Sequence, residues 1–469
     1  MVINMQYEKH FIESEKKALE HDLPDKYYYS GYCWYFGFGR NPDKEKAQLF
    51  YEEGCKKKSY KCLYSMGVIY EKNTENCSKA LGYFIEAFEG LLLEAQNGDV
   101  LSQRMISCYY LFGTRGVKQD MGAATYWLRC AAIGDNAEAQ YNLGESYLTS
   151  KGVEVDVQKA KYWLIKSLKN GYFKAQKMLD EINVGKPYNC LNLCDLIDIS
   201  RSSKEYCIEF ERLIKKFQPQ RVYLGSYFCG NYCLSTMDKI DFIVDICRKN
   251  SIMISFVIPI IPQRILGQIK QKLEKIAHTF INVIDEVTVN DYAMLDWVGN
   301  NLPFDISLGR LFMKDPRDQR IAESREITQY PLFINSQIFD CLNHYCIVGI
   351  EIDQIYSEFQ VDNNYEEVIF VIHSPYCYQT TGQICLYASI HKQLQEKFRA
   401  NCTCNFECMK MYISYSIDEG EYLRYGRAIY YKANNSIIKG IQNKSVRNLY
   451  WTFEDLEGRY ENISATEEQ

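Results

Sequence analysis

The chain has 469 residues, a hydrophobic fraction of 47% and a formal net charge of −6. Its length predicts two or three domains, and the acidic balance gives no chain-wide electrostatic footprint for nucleic acid, although it leaves room for a local basic groove. The longest apolar run, 252–261, is too short to span a bilayer, and the charged N-terminal segment has no apolar signal-peptide core. We therefore expect a cytoplasmic protein without a membrane partner.

The N-terminal half repeats itself with a period of 36 residues. Small residues at this spacing allow two helices to approach closely, and the glycines end helices or take positive φ in the turns. A single helical hairpin cannot bury its own apolar face, so several such units have to stack. The recurring pairs are Gly116 and Gly152, Asp120 and Asp156, Ala124 and Ala160, and Trp127 and Trp163.

The pattern AAxxGxxxAQxxLGxxYxxxxGVxxDxxKAxxW resembles Sel-1-like repeats, which are relatives of the tetratricopeptide family. The resemblance covers residues 25–183 and is strong for the last two units and degenerate for the first two. It implies an all-α solenoid over residues 1–185 with a concave surface that binds a protein or a peptide. The alternative is an array that only supports the domain that follows it.

The pattern changes after a glycine and a proline at residues 183–187, which mark a domain boundary. Short β-rich runs then alternate with amphipathic helical ones, which predicts a parallel sheet with right-handed crossovers. We expect a multidomain protein whose second domain, 186–460, is an α/β (TIM-barrel-like) domain, with an open doubly wound sheet as the alternative and a flexible tail over 461–469. The predicted strands cover 221–225, 252–258, 286–289, 305–308, 346–350 and 368–372.

A dense group of thiols follows the last predicted strand. In a cytosolic chain with 19 cysteines, reducing couples keep thiols out of disulfides. Grouped soft thiolates typically hold an iron–sulfur cluster or zinc, and buried, inert cysteines are the remaining alternative. The cysteines of the group are Cys377, Cys385, Cys402, Cys404 and Cys408.

The segment SPYCYQTTGQICLYAS…CTCNFEC, together with YLGS, IDEVTVND and FDISLGRLF, is similar to the collagenase-like peptidase family U-32. The resemblance implies a β/α barrel and a 4Fe-4S cluster on Cys377, Cys385, Cys404 and Cys408, with Cys402 as a substitute for Cys404. It also implies an oxygen-independent hydroxylation with prephenate as oxygen donor, whereas peptidase activity is the older assignment for this family. Proteolysis is disfavoured here because the sequence has no nucleophile elbow and no zinc-protease helix motif.

Four polar residues near predicted strand ends are candidates for catalysis. Arg310 and Lys314 follow the strand over 305–308, where they could hold a small dicarboxylate co-substrate or form a solvated loop. Glu351 lies on a later strand and could point into the barrel or form a structural salt bridge. His373, four residues before Cys377, is a candidate donor to cluster sulfurs, a candidate acid or base, or an ordinary hydrogen-bonded histidine.

Two hypotheses follow for the function. The first is an iron–sulfur enzyme that performs a redox modification of the hydroxylation type on a peptide, a protein or another substrate recruited by the repeats. The second is a non-catalytic interaction scaffold with a structural metal site, for which zinc would serve as well as iron. A nucleic-acid substrate is less favoured because of the acidic charge.

Overall fold

A computed structural model describes residues 4–23, 25–71, 77–113, 115–182, 188–312, 341–342, 344–353, 368–381, 393, 404, 406–409, 411–417, 420–432, 445–451 and 461–462. The chain forms two compact units that divide between Val184 and Gly185. None of the described helices combines the length and the apolar content that a bilayer crossing requires.

The described part of the first unit is entirely helical. After α1, the helices pack in sequence as antiparallel pairs, α2 with α3, α4 with α5, α6 with α7 and α8 with α9, and α10 packs on the last pair. The helices are α1 (Asn4–Glu20), α2 (Lys26–Phe36), α3 (Lys44–Lys56), α4 (Tyr60–Glu71), α5 (Cys77–Gln96), α6 (Val100–Phe112), α7 (Met121–Ile133), α8 (Ala137–Thr149), α9 (Val157–Lys169) and α10 (Lys174–Glu181). This arrangement confirms the predicted stack of helical hairpins.

The repeated aspartates start the second helix of each hairpin. The side chains of Asp120 and Asp156 accept hydrogen bonds from backbone amides in the first turns of α7 and α9, which satisfies N–H groups that the helix itself cannot bond. Asp43 does the same for α3 in the first repeat. The turn glycines Gly116 and Gly152 have φ values of +85° and +79°, as predicted. The 36-residue period therefore places the residues that start and end helices as well as those that pack between them.

Small residues lie where paired helices come closest. Ala139, Ala160 and Ala175 are fully buried, which confirms their predicted role in close helix packing. Gly144 on α8 is more tightly enclosed, because a Cβ atom built there would lie 2.7 Å from Cγ of Leu164 on α9. The hairpin can close to this distance only because that side chain is absent.

The described part of the second unit contains thirteen strands, of which eight form a closed parallel barrel in the order β1-β2-β3-β4-β5-β6-β7-β12. The closed sheet confirms the barrel over the doubly wound alternative, while β1 and β12 were absent from the predicted set. The strands are β1 (Tyr188–Asn192), β2 (Arg221–Gly225), β3 (Met253–Ile258), β4 (Ile284–Val289), β5 (Asp305–Leu308), β6 (Ile347–Asp353), β7 (Ile369–Ser374), β8 (Tyr376–Thr381), β9 (Met411–Ile417), β10 (Gly420–Tyr425), β11 (Ala428–Lys432), β12 (Ser445–Trp451) and β13 (Glu461–Asn462).

Helices follow the early barrel strands, as right-handed crossovers require. The helix after β1 begins with a capping box between Ser202 and Glu205, and Asp291 caps the helix after β4. These helices are α11 (Ser203–Phe217), α12 (Gly230–Asp238), α13 (Ile240–Lys249), α14 (Gln263–Phe280) and α15 (Tyr292–Asn301). Side-chain caps therefore mark the starts of α11 and α15.

The remaining strands form a second sheet, here called the cap sheet, in the order β13-β9-β10-β11-β8. Four of its strands, β8 to β11, lie in the chain between the seventh and eighth barrel strands, so the cap sheet starts from the C-terminal end of β7. Its β13 lies within the segment predicted as a flexible tail and pairs with β9 through Glu461 and Asn462. The cap sheet therefore begins at the barrel end where ligand sites of this fold class lie.

We predict that Gly144→Ala lowers the free energy of unfolding by about 1–3 kcal/mol, because the added methyl group overpacks the contact between α8 and α9. The matched control is Gly82→Ala on α5, where an added Cβ meets no atom within 4 Å. That change should stabilise the helix by about 0.5–1 kcal/mol through helix propensity alone. Urea unfolding followed by circular dichroism measures both, and equal effects of the two variants would contradict the packing model.

Candidate active site

The C-terminal mouth of the barrel gathers buried polar side chains from several strands. Arg310, directly after β5, is 1% exposed. Its Nη2 and Nε atoms donate to the carboxylate of Asp353 at the end of β6. Within the described part of the chain, its Nη1 atom has no hydrogen-bond partner. One edge of this guanidinium is therefore fixed by the protein, and the other has N–H groups available.

Four aromatic rings surround this guanidinium, with its central carbon 5.2–5.8 Å from each ring centre. Cation–π contacts of this kind hold an arginine in place without using its hydrogen-bonding groups. The Arg310 side chain is fully buried among these rings, which strengthens its electrostatic interactions. The rings are Tyr227, after β2, Tyr378 and Tyr430, from the cap sheet, and Trp451, at the end of β12.

Glu351 and His373 form a buried pair beside the guanidinium. Nε2 of His373 lies 3.1 Å from Oε2 of Glu351, and Trp451 donates from Nε1 to Nδ1 of His373 at 2.9 Å. An indole nitrogen can only donate, so Nδ1 is the acceptor and Nε2 carries the proton of a neutral ring. Nε2 therefore donates to the Glu351 carboxyl group, whose other oxygen accepts from the hydroxyl of Thr288 at 2.9 Å.

The environment shifts the pKa values of this pair in opposite directions. Burial raises the pKa of Glu351 to about 8, against the hydrogen bond from Thr288 and the charge of Arg310, which lower it. Burial, and then the positive charge of Arg310, hold the pKa of His373 well below its usual range. Near neutral pH the histidine is neutral, and Glu351 is the group that takes up or releases a proton.

A second open polar atom lies next to Gly309, the residue before Arg310. The Asn290 side chain, after β4, donates to the carbonyl oxygen of Ile258, and its Oδ1 atom has no partner among the described residues. Gly309 permits this placement, because a Cβ atom there would lie 2.2 Å from Oδ1. The mouth thus has an open acceptor on Asn290 as well as an open cationic donor.

The cap sheet is attached to the mouth by hydrogen bonds. The backbone amide of Tyr378 donates to Asp353 at 3.2 Å, and Arg427 donates to the carbonyl oxygen of Phe228 at 3.3 Å. Tyr425 donates to the carbonyl oxygen of Asp195, whose own carboxyl group has a pKa raised to about 7 by burial. These contacts hold Tyr378 and Tyr430, the two cap-sheet tyrosines around Arg310, against the barrel.

Three of the four predicted metal ligands, Cys377, Cys404 and Cys408, lie in the described part of the chain. Cys377 on β8 is fully buried and packs against Tyr422 and Ile429, and Cys408 is buried in the short 3-10 helix Glu407–Met409. Cys404 is partly exposed, and its sulfur accepts from the amide of Phe406 at 3.4 Å. Among the described residues, no three His, Cys, Asp or Glu side chains are arranged to hold a metal ion. The described cysteines therefore do not form a metal site by themselves, and Cys385 and Cys402 lie outside the described residues.

The structure brings three of the four candidate catalytic residues together, namely Arg310, Glu351 and His373. Lys314 lies outside the described residues. Both ring nitrogens of His373 are engaged by Glu351 and Trp451, which favours a role in the barrel mouth. No sequence pattern indicated the four aromatic rings around Arg310, although an aromatic residue does end or follow each barrel strand that contributes one of them.

The N-terminal unit carries Sel1 repeats, which match residues 27–59, 100–136 and 137–172. This confirms the predicted repeats, and repeat arrays of this kind present extended surfaces. All three matched segments lie in the first unit. The similarity of the second unit to the U-32 family remains a prediction.

Similar proteins include a plant relative and bacterial structures. The ERAD-associated E3 ubiquitin-protein ligase component HRD3B of Arabidopsis thaliana is 27% identical over 19% of this chain, which spans about a fifth (20%) of that relative's length. A Sel1 repeat protein from Oxalobacter formigenes is 25% identical over 38% of this chain and 71% of its own, with a TM-score of 0.26. A protective antigen with an SLR fold from uropathogenic Escherichia coli is 22% identical over 44% and 40%, with a TM-score of 0.25.

We predict that Glu351→Gln changes how stability depends on pH. Folding raises the pKa of Glu351, so its contribution to stability is complete below its unfolded-state pKa and is lost as the pH rises through about 8. The lowered pKa of His373 gives the opposite contribution, which is complete above about pH 6.5. Between about pH 6.5 and 8, the wild type should therefore lose up to about 1.4 kcal/mol of unfolding free energy per pH unit relative to Glu351→Gln.

Denaturant unfolding of both proteins at several pH values measures this difference. Asp195, whose pKa is also raised, is present in both and cancels. A stability difference that stays constant from pH 6.5 to 8 would show that Glu351 is already ionised in the folded protein.

Proposed function

We propose that the second unit is an enzyme whose active site is the barrel mouth, and that the Sel1 repeats bind the protein with which it works. The observation that carries the proposal is the buried Arg310, held by Asp353 and four aromatic rings next to Glu351 and His373. Burying this many ionisable groups is costly. Such arrangements cluster at functional sites.

The open atoms of the mouth suggest the class of substrate. The unpartnered N–H groups of Arg310 suit a carboxylate, to which arginine binds strongly. The open oxygen of Asn290 accepts from a hydroxyl group on the same molecule. A small hydroxylated carboxylic acid satisfies both atoms, in keeping with the dicarboxylate co-substrate expected from the sequence.

Glu351 and His373 supply a proton-transfer step. Glu351 with a pKa of about 8 can act as an acid or as a base near neutral pH. His373 stays neutral, donates to Glu351 and is fixed in one tautomer by Trp451, so it orients the carboxyl group. Asp353 and the aromatic rings orient Arg310 in the same way. The chain's own residues can therefore bind an acid and move one proton on it.

The resemblance to the U-32 family supports a redox reaction of the hydroxylation type as the finer function. On this proposal, Cys377, Cys385, Cys404 and Cys408 would hold a 4Fe-4S cluster, which would supply electron transfer or Lewis acidity. A site of this kind requires cysteines outside the described residues as well as the described ones. The proposal for the mouth does not depend on the metal.

A scaffold without catalysis is the alternative, and the repeat matches favour it. The plant relative is named as a component of a ubiquitin-ligase assembly, which is consistent with repeats that act by bringing proteins together. On this alternative the polar mouth has only a structural role. It then has no affinity for small acids, and its residues can be changed without loss of cellular function if the fold is kept.

We predict that small hydroxylated dicarboxylates, such as malate or prephenate, raise the melting temperature of the wild-type chain by binding at Arg310. Arg310→Lys should weaken this binding about ten- to a hundredfold, because a lysine cannot keep both the contact to Asp353 and the contact to the acid. Isothermal titration calorimetry measures the loss.

The control is Arg248→Lys on α13, at a partly exposed arginine far from the mouth in the chain. It should bind the same acids as the wild type does. If no acid binds the wild type, or if Arg310→Lys binds as tightly as Arg248→Lys, the mouth is not a carboxylate site.

We predict that the chain purified without oxygen contains about four irons and four sulfides, and that Cys377→Ser loses them. Cys247→Ser on α13 is the matched control, since Cys247 is also fully buried but lies outside the thiol group. Metal and sulfide analysis of the three proteins is the measurement. One zinc and no sulfide would favour the scaffold, and full iron content in Cys377→Ser would contradict the assigned ligands.

A further inference from the structure

A cavity of about 270 Å³ opens on the first unit, among the first helices of successive hairpins. Its walls are mainly aromatic and aliphatic side chains from α2, α4 and α6. The charged members of its lining are Arg104, Arg115 and Glu138. Ligand pockets for drug-sized molecules have volumes of about 300–1,000 Å³, so this cavity has room for one side chain but not for a typical cofactor.

The two arginines of the cavity differ in how they are satisfied. Arg115 donates to the hydroxyl of Tyr64 and, with two nitrogens, to the carboxylate of Glu71, at 2.7–3.0 Å. Arg104 has its Nη1 atom 3.4 Å from Oε1 of Glu138, and its Nε atom has no partner within the described residues. Arg104 is therefore the arginine with a donor still available.

A second open donor lines the same cavity. The hydroxyl of Tyr28 has no hydrogen-bond partner in the part of the chain that the structure describes, although Tyr28 is only 1% exposed. Burial raises its pKa, so the hydroxyl keeps its proton and can donate. An unsatisfied buried hydroxyl is costly, and a ligand oxygen in the cavity would remove that cost.

These groups define the chemistry of the occupant. Tyr28 and Arg104 provide donors, and the carboxylate of Glu138 provides an acceptor, so a hydroxyl that both accepts and donates matches them. The aromatic walls favour a flat ring, and Glu138 disfavours a ligand with a full negative charge. A phenol has all of these properties.

We propose that this cavity binds the side chain of a tyrosine from a partner protein. The inference rests on the protein-binding role of the Sel1 repeats and specifies the residue that they recognise. The chain already places a phenol next to this region. The hydroxyl of Tyr7 on α1 lies 3.2 Å from that of Tyr32, which lines the cavity, and its ring contacts Tyr172 at 5.5 Å between centres. The partner's tyrosine extends this aromatic cluster inward.

Binding of p-cresol and toluene to the full-length chain tests the inference, because they are the side chains of tyrosine and phenylalanine. Ligand-observed NMR titration should show p-cresol binding about tenfold more tightly than toluene, the equivalent of about one buried hydrogen bond. Arg104→Met should reduce this preference while toluene still binds. Arg212→Met, on α11 in the second unit, should leave the preference unchanged.

Filling the cavity provides a second variant. Val68→Phe should abolish binding of both probes, because Val68 lines the cavity. Val155→Phe, at an exposed position of the first unit, should change nothing. If Val68→Phe does not fold, as judged by circular dichroism, the selectivity change in Arg104→Met still decides the question.

Three results would overturn the inference. They are equal affinities for p-cresol and toluene, binding that persists in a folded Val68→Phe variant, and tighter binding of 4-methylbenzoate than of p-cresol, which would make the cavity an anion site. No partner protein enters these measurements. They can therefore fail while capture of a partner by the repeats still succeeds, which keeps the two proposals separate.

Discussion

Charge neutralisation inside a closed sheet is the constraint on which the second unit depends. The interior of a parallel barrel is a packed core that solvates ions poorly, so each buried charge needs an opposite one within reach. The lower part of the barrel meets this need with Arg221 against Asp285 and Arg447 against Glu286, each at 2.8 Å and with all four side chains fully buried. Strands far apart in the chain are joined by these pairs.

The mouth satisfies the same constraint incompletely, which leaves groups there that could bind a ligand or transfer a proton. Arg310 is neutralised by Asp353, but its Nη1 atom has no hydrogen-bond partner among the described residues. Within the same part of the chain no cation forms an ion pair with Glu351, whose pKa is raised and whose neighbour is a neutral histidine. The lower layer therefore has its charges paired, whereas the upper layer contains a carboxyl group with a raised pKa and polar atoms that could bond a ligand.

The sequence predicted the strands that carry this site better than it predicted the contacts between their side chains. The predicted bounds of β2 and β5 match the observed ones, although both strands contain buried polar residues. The strand β12 carries Arg447, an arginine whose burial is explained only by its distant partner Glu286. Glu351 and His373 are 22 residues apart in the chain, and no local pattern shows that they touch.

The position of β12 has a consequence for how the protein is made. This strand closes the barrel by pairing with β1 on one side and β7 on the other, and its residue Arg447 lies opposite Tyr188. During synthesis, seven barrel strands and most of the cap sheet leave the ribosome before the closing strand does. Until then both sheet edges are exposed and can pair with other chains. The nascent barrel is therefore protected against aggregation only when β12 pairs with β1 and β7. A chaperone would be of most use before this step.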